Sequence, residues 1–128
     1  MSTTATKTRP KHLQLTAIRL PIPGIVSIMH RISGAILFLM LPLLLWLLQS
    51  SLAGEKPFAA FRAMVGNPLV KIVLLGLLWG YLHHLFAGLR HLFLDMHMGL
   101  EVESARFSAK LVLAAGLIVT VLVGAKLW

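Results

Sequence analysis

Apolar positions along the chain gather into three long uncharged runs separated by short polar stretches. No charge occurs from Ile32 to Gly54, and the segment GAILFLMLPLLLWLL, starting at Gly34, helps form a run long enough to cross a hydrocarbon core that needs roughly 20 helical residues. Pro42 inside it removes one backbone bond, which a membrane helix tolerates with a kink. A second run, Ile72 to Leu89, lies between Lys71 and Arg90, contains His83 and His84, and continues as a helix to about Asp95. The third, Leu111 to Ala125, is short, and spans if Lys110 and Lys126 snorkel to the two interfaces, with Phe107 and Trp128 as interfacial ends. The pattern predicts an all-α integral membrane protein: an N-terminal segment 1–24, then a membrane domain 25–128 with helices over about 25–51, 69–95 and 107–127. The connections, around Glu55, Lys56, Pro57 and Asn67-Pro68, and around Glu101, Glu103 and Ser104, read as short loops, the first with an interfacial turn through Phe58 and Phe61.

Composition agrees with this pattern. The chain is 58% hydrophobic and 12% charged with a mean hydropathy of +0.86, which excludes an ordinary water-soluble domain. A formal charge of +8 would suggest nucleic acid in a soluble protein. In a membrane chain the bases serve first as topology signals and headgroup contacts, and no nucleic-acid partner is expected. Lys7, Arg9, Lys11 and Arg19, with Arg31 at the helix mouth, hold the N-terminus in the cytoplasm, so three crossings put the C-terminus outside. The N-terminal segment lacks the apolar core of a cleavable signal, leaving the first span as the insertion signal. The absence of cysteine excludes an iron-sulfur cluster, thioether-linked haem and disulfides, so electron chemistry would use a non-covalent cofactor or a partner.

Ionisable groups at membrane depth cost on the order of 3 kcal/mol each and are functional candidates for that reason. Ser27, His30 and Arg31 project from one face of the first span, with Gly34 a turn further on. His84, Gly88, His91 and Asp95 form one stripe on the second, because steps of 4, 7 and 11 residues rotate by about 40°, −20° and 20°. Arg31, His91 and Asp95 then share the cytoplasmic side, and His84 lies about 10 Å deeper than His91. An imidazole deep in the bilayer with cationic groups nearer the surface is the arrangement a b-type haem requires.

Blander roles compete for most of these residues. Gly76, Gly80 and Gly88 flank His84 at four-residue spacing, leaving room for a flat macrocycle or serving ordinary GxxxG packing; Gly116, Thr120 and Gly124 fit packing better. A lone membrane histidine can simply hydrogen-bond a neighbouring helix. Ser27 competes as a helix cap. His83, about 100° around from His84, is expected to meet packing or interfacial partners, and Arg90 to be an interfacial anchor or half of a simple ion pair. His12 and His97 fall outside the spans, with no specific role expected.

The strings Arg9-Pro10, Leu13, Leu15, Ile18-Arg19, Pro21-Ile22, Ser27-Ile28, His30-Arg31 and Ser33-Gly34, together with the pattern H-x3-G-x-R-H-x3-D from His84 through Gly88, Arg90-His91 and Asp95, resemble the cytochrome b membrane-anchor subunits of succinate dehydrogenase. The likeness extends over essentially the whole chain. It implies a bacterial inner-membrane subunit that pairs with a second hydrophobic anchor to hold one haem b, each chain giving an axial histidine. Here His84 matches the ligand, while His30, Arg31 and His91 match the propionate environment. It further implies docking of an iron-sulfur subunit fed by a succinate-oxidising flavoprotein, and a ubiquinone site to which Ser27 and Arg31 contribute. A hydroxyl can donate to a quinone carbonyl oxygen, and a permanent guanidinium charge favours the anionic one-electron-reduced form. The protons must come from water or another chain.

Other classes stay open at this point. A fumarate reductase anchor would run the same electron path in reverse. A haem-free structural anchor would use the polar residues for packing alone. A proton-coupled transporter would need a carboxylate well inside a span, and the candidate Asp95 stands at a helix end.

Overall fold

The computed structural model describes residues 18–128, so the expectations placed on Lys7, Arg9, Lys11 and His12 lie outside the described residues. Four helices follow in order: α1 (Ile22–Leu52), α2 (Glu55–Val65), α3 (Pro68–Asp95) and α4 (Val102–Leu127). No strand occurs among the described residues. α1, α3 and α4 are long and apolar enough to cross a membrane.

Prolines set the starts of α1 and α3. Pro21 is extended (φ −67°, ψ 154°) and precedes a first turn containing Pro23, whose missing N–H would have no helical partner there. Before α3, Asn67 Oδ1 accepts from the Leu69 N–H at 2.9 Å, and Pro68 is the first helical residue. α1 therefore starts at Ile22 rather than near residue 25, and its 31 residues, about 46 Å of helix, exceed a hydrocarbon core of about 30 Å. Ser27 is already in its second turn and does not cap it.

Two expected loops are in large part helical. Between α1 and α3 the chain forms α2, three turns rather than an interfacial turn: Gly54 (φ +124°) provides a left-handed break, Glu55 lies in the first turn and Arg62 in the last, each charge matched to the helix dipole. Phe58 and Phe61 stack at 6.0 Å between centroids. Before the third span, Glu103 and Ser104 are helical and α4 begins at Val102 instead of 107. An acidic residue in a first turn is favourable, so the helix extends beyond the apolar run that marks its membrane part.

The three long helices meet through small residues. Val26 of α1, Ala87 of α3, and Ala109 and Val112 of α4 form the buried core. A Cβ on Gly116 would sit 3.6 Å from the His83 backbone N, and one on Gly124 would press within 3.2 Å of Leu75 Cδ2. Thr120 Oγ1 donates to the Gly116 carbonyl at 2.7 Å, satisfying its hydroxyl inside its own helix. The small-residue ridge of α4 is thus a packing surface, close approach replacing the hydrophobic drive that lipid removes.

Candidate functional site

The α1–α3 crossing brings three imidazoles together. The His30 and His84 rings stack at 4.2 Å with an interplanar angle of 7°, and His91 lies 5.1 Å from His30, tilted by 52°. Each of the stacked rings sits over a glycine of the opposite helix. A Cβ built on Gly34 would fall 2.7 Å from His84 Cε1, and one on Gly88 would lie 3.5 Å from His30 Nε2. Gly88 therefore accommodates an imidazole. Gly80 and Gly76, about two and three turns further along α3, have nothing within 4 Å of a built Cβ and form an open ledge. That ledge, with Ser33, Ile36, Trp79 and His83, lines a groove of about 190 Å³ between α1 and α3.

The hydrogen bonds of His84 fix its tautomer. Its Nδ1 lies 3.0 Å from the His30 carbonyl oxygen, which can only accept, so Nδ1 carries a proton there, and in the neutral ring the lone pair is on Nε2. Ser33 Oγ lies 3.3 Å from the same nitrogen and donates to the same carbonyl at 3.0 Å. An imidazole held through Nδ1–H on a backbone carbonyl is oriented as metal-binding histidines commonly are, with the other nitrogen available. Ser33 is the residue that sequence reasoning gave no role. Its signal was present, since Ser33 follows His30 by three residues and therefore shares its helix face.

His83 faces the opposite problem. It is buried, its ring stacks on Trp79 at 5.8 Å, and both ring nitrogens are shielded and lack a hydrogen-bond partner among the described residues. It packs at the helix junction as expected, contributing to the wall of the α1–α3 groove with its ring nitrogens buried. Among the described residues no three His, Cys, Asp or Glu side chains converge as ligands for a bare metal ion. His30 and His84 stack and His91 is tilted against His30, so the three rings do not aim at one point.

Ser27 and Arg31 stand apart from this crossing. They lie about 60° and 100° around α1 from His30, Ser27 half-buried and Arg31 exposed. Asp95, the end of the α3 stripe, is exposed at the helix terminus. Arg90 departs from the expected interfacial anchor: it is buried, donating from Nε to Ser108 Oγ at 3.0 Å and from Nη2 to the Ala105 carbonyl at 3.3 Å. Its guanidinium ties α3 to the first turns of α4, a role hidden in the sequence because those turns read as loop and interface.

The chain matches the family described as "Succinate dehydrogenase/Fumarate reductase transmembrane subunit" over residues 5–123. It is 38% identical over 121 residues to a succinate dehydrogenase cytochrome b556 subunit of Coxiella burnetii, covering 94% of this chain and 97% of that protein. With the subunit of the same name from Paracoccus denitrificans it shares 39% identity over 114 residues, 89% of this chain and 88% of the relative. A cytochrome b560 subunit from Reclinomonas americana is 32% identical, with 89% and 83% covered.

Proposed function

Since the chain belongs to the family of succinate dehydrogenase/fumarate reductase transmembrane subunits, we propose that it is the cytochrome b anchor of a succinate:ubiquinone oxidoreductase, non-catalytic alone. In this reading it holds one haem b together with a second hydrophobic anchor subunit and forms part of the ubiquinone reduction site. The observation that carries it is His84: ring-stacked on His30, seated over Gly34, proton fixed on Nδ1 by the His30 carbonyl, and Nε2 left with a lone pair for iron. The residues present fit the group. Gly76 and Gly80, about two turns and one turn along α3 from His84, present no side chain to a flat group, and His30 and His91, with Arg31 around the same helix as His30, would form the propionate environment.

Bound there, haem would supply a one-electron carrier. The chain's own residues do the rest. His84 ligates, and the His30 carbonyl and Ser33 hold its ring in orientation. Ser27 donates its hydroxyl to a quinone carbonyl oxygen, and Arg31 offers a permanent charge to the negative charge that develops there during reduction. Both lie to one side of His30 on α1, about 60° and 100° around the helix, and another subunit would complete the pocket. On the basic N-terminal side, in the cytoplasm, that end of the bundle receives the iron-sulfur subunit, which takes its electrons from the flavoprotein; the membrane is the bacterial inner membrane. The family description also names fumarate reductase, whereas the relatives at 38% and 39% identity are succinate dehydrogenase subunits, and the proposed direction follows them.

The test is the reduced-minus-oxidised visible spectrum of the purified complex. His84→Leu abolishes the bis-histidine b-type signal, while His83→Leu leaves it nearly unchanged. Loss of the signal with His83 rather than His84 would refute the assignment.

A further inference from the structure

At the end of the bundle opposite the imidazoles, α2, the start of α3 and the end of α4 enclose a groove of about 470 Å³, within the range of roughly 300–1,000 Å³ typical of small-molecule sites. Its walls are apolar, including Leu74, Leu78 and Val123, and its mouth carries Arg62, Lys71 and Trp128. The Lys71 ammonium donates to the Leu127 carbonyl at 3.2 Å and lies 5.2 Å from the Trp128 ring centroid. Those contacts fix its position and leave further N–H donors free to point outward. Arg62, in the last turn of α2, is exposed.

Topology does not account for these bases. This end of the molecule bears Lys56, Arg62, Lys71 and Lys126 against the single acid Glu55, although the positive-inside rule draws bases to the other end in the orientation proposed above. A cationic mouth at the membrane interface, an interfacial tryptophan and an apolar trough leading into the bilayer are together complementary to one kind of molecule. We infer that this groove binds an anionic glycerophospholipid, its phosphate between Arg62 and Lys71 and an acyl chain lying along Leu74, Leu78 and Val123. Two bases acting at a membrane surface correspond to a preference for the anionic headgroup on the order of thirtyfold.

The test uses the complete complex, reconstituted in phosphatidylcholine vesicles that carry a minor fraction of a phosphatidylglycerol with a photoactivatable diazirine in its acyl chain. After illumination, mass spectrometry should find label on α3 near Leu74 and Leu78 and on α4 near Val123. Labelling should fall by roughly tenfold or more when the same diazirine is carried by phosphatidylcholine. It should fall likewise in the Arg62→Ala, Lys71→Ala double variant and persist in Arg62→Lys, Lys71→Arg. Equal labelling by the two probes, or label unchanged in the double alanine variant, would show ordinary annular lipid and overturn the inference. Absence of label from both segments in the wild-type complex would also overturn it, because a protein partner would then cover the groove.

Discussion

Replacing Gly34 by alanine isolates the contact on which the His84 assignment depends. The added methyl would lie 2.7 Å from His84 Cε1 and 3.2 Å from Nδ1, where carbon atoms normally approach to about 3.5 Å. Either the ring or the helix must therefore move by nearly 1 Å. Overpacking of this kind typically costs about 1–3 kcal/mol, and losing the Nδ1–His30 hydrogen bond adds about 0.6–1.7 kcal/mol on membrane-protein scales. Against this, exchanging a helical glycine for alanine gains up to about 1 kcal/mol. The net change in stability is thus modest, while the change in ring orientation is large, and this dictates the assay. Gly34→Ala complex should show lowered haem occupancy or a shifted b-type absorption band, with the assembled subunits otherwise intact. Gly24→Ala is the control, since its Cβ would meet only Pro21 at an ordinary 3.7 Å. A Gly34→Ala spectrum and haem content identical to wild type would refute the claim that the His84 ring is held over Gly34 in the working protein.

At the proposed quinone site, Ser27→Ala removes a donor from a partly dehydrated pocket and should weaken the interaction by roughly 1–3 kcal/mol, about 5- to 150-fold. Arg31→Leu should do more and Arg31→Lys less. The quinone reductase rate of the complex is to be compared with succinate oxidation by an artificial acceptor, and normal quinone reduction in Arg31→Leu would remove Arg31 from the site. For the α3–α4 tie, Ser108→Ala should destabilise the complex by about 0.6–1.7 kcal/mol, read as a lowered midpoint of thermal inactivation. Its effect should nearly vanish in an Arg90→Met background, and strict additivity would show that the two side chains do not act through one another.

The legible and illegible parts of the sequence divide along a physical line. Spans were readable because twenty or so uncharged residues have few destinations other than a bilayer, and the His84 stripe because helical rotation alone puts Gly88, His91 and Asp95 on its face. α2 was not, because Glu55, Lys56 and Pro57 resemble a turn until Gly54 breaks α1 and a new helix starts with its acid at the favourable end. Nor was the fate of Arg90. A guanidinium beside a span reads as an interfacial anchor, and only the observed start of α4 at Val102 brings Ser108 and the Ala105 carbonyl within its reach. Ser27 and Arg31 remain a pairing inferred from i, i+4 spacing and resemblance, one half-buried and the other exposed beside the α1–α3 crossing.

The glycines show why pattern alone left two readings open. Spacing by four made Gly76, Gly80 and Gly88 equivalent, yet the helix crossing separates them. Where α1 approaches α3, Gly88 receives His30 just as Gly34 receives His84, and each helix supplies both a ring and the gap for its neighbour's ring. Deeper, Gly76 and Gly80 are left open. The α3 glycine series therefore receives one ring at Gly88, paired with the α1 glycine that receives the other, and is left open at Gly76 and Gly80. A bulky residue at Gly88 should disturb His30 and hence the carbonyl that orients His84. A methyl at Gly76 meets no other helix of this chain within 4 Å, so a spectral change it produced would report on a group or subunit lying against the ledge rather than on the α1–α3 packing.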